Sequence, residues 1–299
     1  MEKAKVYFCR EITPENLEKI YNALGVELKG NIGIKVSTGE RGAKGYLKAE
    51  LIKPLVDKLN GTIIECNTAY PGARNTAEEH IKVAEEHGFT KMGKGVEIMD
   101  ETGEFKIPTP VNSKHLKYDL IGEGFKKYDS ILNLAHGKGH AMGGFGANLK
   151  NQSIGIASRN GKAYIHSCGQ TEDPDACWSA KYEQEEFIES MAEAATAVSD
   201  YLKESNKQIL YITVANAISV DCDCDAHQGD PVIGDIGIFG SLDPVANDQA
   251  FIDAIWATHE EGTPTIQERI DTRCGRHITE YAESLGLGTT QYELIDLDK

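Results

Sequence analysis

Short apolar runs alternate with longer amphipathic stretches along the first third of the chain. Val6–Cys9, Asn31–Val36 and Thr62–Cys66 are the kind of segment that forms strands buried on both faces. Between and after them, Pro14 to Leu24, Leu47 to Leu59 and Thr76 to His87 carry apolar residues at helical spacing. Thr13-Pro14-Glu15 supplies an N-cap, a proline at N1 and early acidic charge, and Gly88 supplies a stop. Pro54 is expected to kink the second helix. This rhythm predicts a parallel sheet with helices packed on its faces.

Residues 92–121 break the rhythm. Val96–Met99 and Phe105–Ile107 read as short strands around the turn Glu101-Thr-Gly103, a small β excursion. Ile131, Leu132, Leu134 and Ala135 mark another buried strand, and the short runs Ile154–Ala157 and Ala163–His166 follow it, with Cys168 and Cys177 in a polar segment. The clearest helix runs from Glu185 to Leu202, with Phe187, Ile188, Met191, Ala194, Ala195, Val198 and Leu202 at spacings of three and four. Strands follow at Gln208–Val214 and Asp235–Phe239. Asp243 and Pro244 open a helix through Trp256, residues 264–285 form two short helices, and Tyr292–Leu297 is an end strand. The expected fold is α/β, a mainly parallel doubly wound sheet with a small β excursion. It forms one unit over 1–299, or two lobes, 1–128 and 129–299, meeting at a cleft.

Charge changes the picture. The 299 residues hold 31 basic and 47 acidic side chains, a formal net charge of −16. Nucleic acid is a poor partner for such a surface, because a phosphate backbone needs a concentrated basic face. No apolar stretch approaches the ~20 residues of a membrane span. The segment Met1–Cys9 lacks the apolar region of a signal peptide. Seven cysteines, an odd count on a long chain, suit reduced thiols rather than a disulfide framework. The expectation is a cytoplasmic protein, with Cys9, Cys66 and Cys274 as ordinary thiols.

Candidate chemistry gathers where the apolar strand ending at Ala135 meets His136-Gly-Lys138-Gly-His140 and Gly143-Gly144-Phe-Gly146-Ala-Asn-Leu-Lys150. Loops at the carboxyl ends of parallel strands bind ligands, and glycines there let backbone N–H groups approach closely. His136 or His140 would act as general base or metal ligand, with Lys138 and Lys150 beside them. Gly143, Gly144 and Gly146 would line the substrate. Lys35, closing the second strand, is placed to hold an anion, and Arg41 and Arg74 could do likewise. Neither G-x-x-x-x-G-K-[ST] nor G-x-G-x-x-G occurs here, so a nucleotide is discounted. The absence of G-x-S-x-G argues against Ser-His-Asp catalysis.

A second unusual stretch is Asp221-Cys222-Asp223-Cys224-Asp225. In extended chain both thiols would face one way and the carboxylates the other. Cys222 and Cys224 would suit a soft metal, while Asp221 and Asp223 prefer a harder one. Two cysteines close no tetrahedral site, so further ligands must come from elsewhere, His166 among them. Cys168 and Cys177 could join the pair around an iron–sulfur cluster, although the spacing is not that of a ferredoxin.

Ile34-Lys35-Val-Ser-Thr-Gly-Glu, the His136–Asn151 segment, Gly161-Lys-Ala-Tyr-Ile-His166, Asp221-Cys-Asp-Cys224 and Ser241-Leu-Asp243-Pro-Val-Ala-Asn-Asp248 together resemble the family catalogued as domain of unknown function 362. That resemblance spans most of the chain and implies an iron–sulfur or metal association, but the C-x-x-C-x-x-C run of an appended cluster module is missing. A fainter likeness is to lactate-racemase-type proteins, in which a histidine and a glycine-rich lysine segment meet at a nickel cofactor. The reading is a metal-dependent enzyme for a small anionic substrate, carboxylate or phosphate. Its metal is a divalent or iron-type ion. The alternatives are a non-catalytic metal or iron–sulfur protein serving a redox partner and a small-molecule binding module; homo-oligomers are compatible with all of these. The whole reading requires the segments near 140 and 223 to share one crevice.

Overall fold

Thr13 accepts a hydrogen bond from the Asn16 amide and Pro14 opens the first helix, so local chemistry starts the chain as its sequence implies. The computed structural model describes residues 3–299; Met1 and Glu2 of the N-terminal segment lie outside it. The first elements alternate: β1 (Ala4–Cys9), α1 (Pro14–Ala23), β2 (Ile32–Lys35), α2 (Ala49–Leu59), β3 (Thr62–Glu65), α3 (Ala77–Glu86) and β4 (Val96–Ile98). Helix α2 continues through Pro54. The carbonyl deprived of an amide partner belongs to Glu50, and both residues are exposed, so water can replace the bond.

Two hairpins follow, β5 (Glu104–Pro108) with β6 (Tyr118–Gly122), and, after β7 (Ser130–His136), β8 (Lys138–His140) with β9 (Gly144–Gly146). Then come α4 (Asn148–Ile156), α5 (Arg159–His166), α6 (Gln184–Glu204), β10 (Gln208–Ala215), β11 (Gly237–Ser241), α7 (Pro244–Ala257), α8 (Thr263–Thr272), α9 (His277–Ser284) and β12 (Tyr292–Asp296).

The main sheet has eight strands in the order β12-β1-β11-β10-β7-β2-β3-β4. It is mainly parallel: β10, β7, β2, β3 and β4 run together, as do β1 and β12, and β11 lies antiparallel to both its neighbours. Every residue of β7 is buried, which is what helices on both faces of a sheet require. The register pairs Lys35 with Asn133 and His136 with Val214, so β2, β7 and β10 end at one edge. The loops that leave this edge carry the unusual motifs.

The runs Ile154–Ala157 and Ala163–His166 lie mainly in α4 and α5, which pack against α6. Short apolar runs do not separate a strand from a buried helix, and here Ser158 caps α5 by accepting from the Gly161 amide. The β excursion is only the β5–β6 hairpin, because β4 joins the main sheet beside β3. The glycine loop is itself an ordered hairpin, with Lys138 opposite Gly146 and His140 opposite Gly144. Among the described residues, no helix is long and apolar enough to cross a membrane.

Candidate functional site

A cavity of about 290 Å³ opens at the carboxyl edge of the sheet, between the loops that follow β2, β3, β7 and β10 and the helices α4 and α5. A recess of about 50 Å³ adjoins it, and Lys150, His140, Cys222 and Cys224 face both. The segments near 140 and 223 therefore share one crevice.

Lys35 projects from the end of β2 into this cavity, yet it is fully engaged. Its Nζ donates to Glu65 Oε2 at 2.8 Å, Asn151 Oδ1 at 3.0 Å and the Val36 carbonyl at 2.6 Å. Helix α4 makes room for it through Gly155, where a Cβ would lie 2.6 Å from Lys35 Cε. Burial would raise the pKa of Glu65, but Lys35, His80 and Arg74 outweigh it and hold the carboxyl down at about 2. Thr38 donates to the same carboxylate from both its amide and its hydroxyl. Arg74 lies 3.5 Å from both Glu65 and Glu40 and donates to the Tyr70 hydroxyl at 2.8 Å. Arg41, by contrast, is on the surface with Glu79 and Glu86.

His136 is as fully engaged as Lys35. Nδ1 lies 3.0 Å from Asp223 Oδ1 and Nε2 2.6 Å from the Asn216 carbonyl. Both partners are acceptors, so neither ring nitrogen has a lone pair free to act as the general base expected of it. Lys138 donates to Asp223 Oδ2 at 2.7 Å and to the His136 carbonyl. Burial opposes ionisation of Asp223, but these two cations hold its carboxyl far below the usual range. Asp223 is thus the counter-ion that straps the 221–225 segment to the β7–β8 corner.

His140 differs. Its Nδ1 accepts from the Gly143 amide at 2.9 Å and the Met142 amide at 3.2 Å. An amide N–H can only donate, so the proton of the neutral ring sits on Nε2. Burial first, and Lys150 next, push its pKa well below that of a free histidine. His166 has the opposite tautomer: its Nδ1 donates to the Lys162 carbonyl at 2.7 Å, and burial lowers its pKa to about 4. One imidazole offers a proton at Nε2, the other a lone pair. Lys150 is alone among the cavity's lysines in making no hydrogen bond through Nζ to any described residue. Burial, reinforced by Lys138 and Lys35, lowers its pKa to about 7.

The Asp221–Asp225 strip is a turn rather than an extended strand, closed by the Asp225 amide donating to the Cys222 carbonyl at 3.0 Å. Its carboxylates point to different partners: Asp221 to Arg269, Asp223 to His136 and Lys138, and Asp225 to the His227 amide. Cys222 and Cys224 are joined in a disulfide, where free thiols were expected. Their sulfurs and His140 Nε2 nevertheless lie within 4.8 Å of one another, and this trio is a candidate metal-binding group. Two sulfurs and an imidazole suit a soft metal by element. The sulfurs fit once reduced; His140 fits only if its Nε2 proton leaves. Asp221, Asp223 and His166, expected as further ligands, are not in the group, and neither are Cys168 and Cys177. A second acidic group, Glu185, Glu189 and His277, is an ion-pair network in which Glu189 already binds Lys114 and His115.

Of the glycines, Gly146 lines the recess. Gly143 and Gly144, expected to line a substrate, line neither the cavity nor the recess; they let the hairpin pack closely. Gly144 has φ +77°, and a Cβ there would lie 2.9 Å from the Ile270 carbonyl. Sequence reasoning missed Glu65, Lys162 and Trp178. A signal existed for Glu65, a charged residue closing an apolar strand as Lys35 does. Lys162 and His166 sit one turn apart on α5, a relation visible only once that segment is known to be a helix.

A family model described as "Domain of unknown function (DUF362)" matches residues 32–253. No curated protein matches the chain. Among solved structures, the lactate racemase apoprotein from Thermoanaerobacterium thermosaccharolyticum is similar at 13% identity and a TM-score of 0.42, covering 84% of this chain and 57% of that one. A protein from Thermotoga maritima is similar at 12% identity and a TM-score of 0.42, covering 87% and 58%. The chain thus spans less than two thirds of the length of either.

Proposed function

The chain belongs to the DUF362 family, and from that premise we propose that it is an enzyme acting on a small anionic substrate, a carboxylate or phosphate. One observation carries the reading. In a protein of net charge −16, four cationic side chains, Lys35, Arg74, Lys150 and Lys162, line one cavity. Glu65 is the buried carboxylate among them; Asp221 is engaged by Arg269, and Asp225 is exposed at the rim. Such a hollow favours an anion, because a desolvated cation is stabilised by an opposite charge.

In this reading Arg74 and Lys162 orient the anion, and Lys35 stays with Glu65 and keeps the floor rigid. Proton transfer falls to Lys150, poised near neutrality, and to His166 as acceptor, while the neutral His140 ring donates a hydrogen bond to the substrate. Thermal denaturation with inorganic phosphate, acetate and pyruvate tests it. At least one should raise the midpoint, and Lys162→Met should weaken that ligand about tenfold or more, the scale of a lost charge-assisted hydrogen bond. If none of the three shifts the midpoint, the reading falls.

Metal dependence is favoured by the convergence of Cys222, Cys224 and His140. The reduced sulfur pair would hold a soft ion, with His140 joining on loss of its Nε2 proton. Such an ion would supply Lewis-acid polarisation of a substrate oxygen. After reduction, anaerobic titration with cobalt(II) should produce thiolate charge-transfer absorption that Cys222→Ser abolishes. An unchanged spectrum on titration rejects the metal.

A further inference from the structure

Among the cavity's cations Lys150 is the anomaly. Lys35 is held by Glu65, Lys138 by Asp223, and Lys162 Nζ donates to the Ala157 carbonyl at 2.6 Å. Lys150 Nζ has no such acceptor among the described residues, and it looks into both the main cavity and the recess behind it. Half-buried at the junction of cavity and recess, with no carboxylate hydrogen-bonded to it and with neighbouring cations that outweigh Asp223, such an ammonium sheds its proton readily. What remains is a primary amine with a free lone pair, which is how a lysine becomes a nucleophile in a desolvated, cationic pocket.

We propose that Lys150 captures the carbonyl carbon of its substrate as an imine, and that the substrate class is a small aldehyde, ketone or 2-oxo acid bearing a carboxylate or phosphate. The inference rests on the anion-site reading above and adds a second functional group to the ligand. The surroundings suit both groups: Arg74 and Lys162 face the anion, and His140 Nε2–H is a neutral donor in the same cavity.

The step balances without an oxidant or a metal. The Lys150 nitrogen lone pair attacks the carbonyl carbon, and the C=O π pair moves to oxygen, which takes a proton. The nitrogen gives up one proton as the carbinolamine forms. The hydroxyl is then protonated and leaves as water while the nitrogen lone pair closes the C=N bond, and the iminium so formed gives up its remaining N–H proton. Overall, amine and carbonyl become imine and one water. His140 Nε2–H is placed to donate a hydrogen bond to the oxygen, and His166 Nε2 can receive a proton from the nitrogen and return it to the oxygen.

Borohydride trapping tests this on the full-length chain. The protein is incubated with pyruvate or glyceraldehyde 3-phosphate, reduced with sodium borohydride, digested and mapped by mass spectrometry. The expected result is one reduced adduct per chain, at Lys150 in preference to the surface lysines. Lys150→Arg, with its melting midpoint checked to show that it folds, should lose that adduct. No adduct at Lys150 with either carbonyl, or labelling spread evenly over exposed lysines, overturns the proposal. Thermal shifts with phosphate and pyruvate separate the two claims. A shift without trapping leaves the anion site standing and removes the imine; neither shift nor trapping removes both.

Discussion

Asp223 shows how a single side chain holds the site's architecture. Its carboxylate is shared between His136 and Lys138, all three buried. Removing one partner of a buried ionic group leaves the others uncompensated, so Asp223→Asn should cost about 3–5 kcal/mol in urea denaturation. A loss within experimental error would mean that the strap is not structural. The buried histidines set the acid limb of stability. His166 titrates at about 4 in the folded chain and near 6.5 in the unfolded one, and His80, also pushed down by burial, at about 3. Their folded pKa values are depressed, so the unfolded state binds more protons as the solution is acidified. Stability is complete above pH 6.5 and falls as the pH drops through 4, by up to about 3 kcal/mol for His166 alone. Denaturation midpoints across that window should flatten in His166→Gln; an unchanged slope would assign the acid limb to other groups.

At the scale of elements, α4 trades helix propensity for the close packing of Lys35 against Gly155. Replacing Gly155 by alanine should gain about 1 kcal/mol on propensity alone. The added Cβ would nonetheless stand 2.6 Å from Lys35 Cε and 2.8 Å from Lys35 Nζ. The expected outcome is displacement of Lys35 from Glu65, a lower melting midpoint and weaker anion binding; a more stable protein with intact binding would show that the glycine is incidental. Helix α6 was legible because its apolar stripe recurs over twenty-one residues. Helices α4 and α5 were not, since their apolar runs are short and Gly155 and Gly161 lower their helical signal. The β8–β9 hairpin was legible as a glycine-rich turn of the chain, but its register was not. Gly144 is required there by the Ile270 carbonyl, a neighbour far away in sequence.

At the scale of the whole molecule, the cavity is built by loops that the sheet order brings together. Lys35, His140, Lys150 and Cys222 come from segments up to nearly two hundred residues apart, and β7, flanked by β2 and β10, aligns them. An anion that binds there should therefore protect residues 35–40, 138–150 and 219–228 together in hydrogen exchange. It should stabilise the fold by about 2.7 kcal/mol at a hundredfold excess over Kd. Protection confined to one of the three segments would place the ligand elsewhere.

Local patterning by itself determined the strand–helix alternation, the mainly parallel sheet, the edge at which the candidate residues gather and the family resemblance, because backbone propensity and burial of apolar faces act over short separations. Tertiary structure alone decided which charged groups are free. Lys35, Lys138 and Lys150 look alike along the chain, but Glu65 and Asp223, thirty and eighty-five residues from the lysines they neutralise, engage the first two and leave the third with no hydrogen-bonded partner among the described residues. In a desolvated cavity the protonation and reactivity of a side chain depend on the partner that folding places beside it.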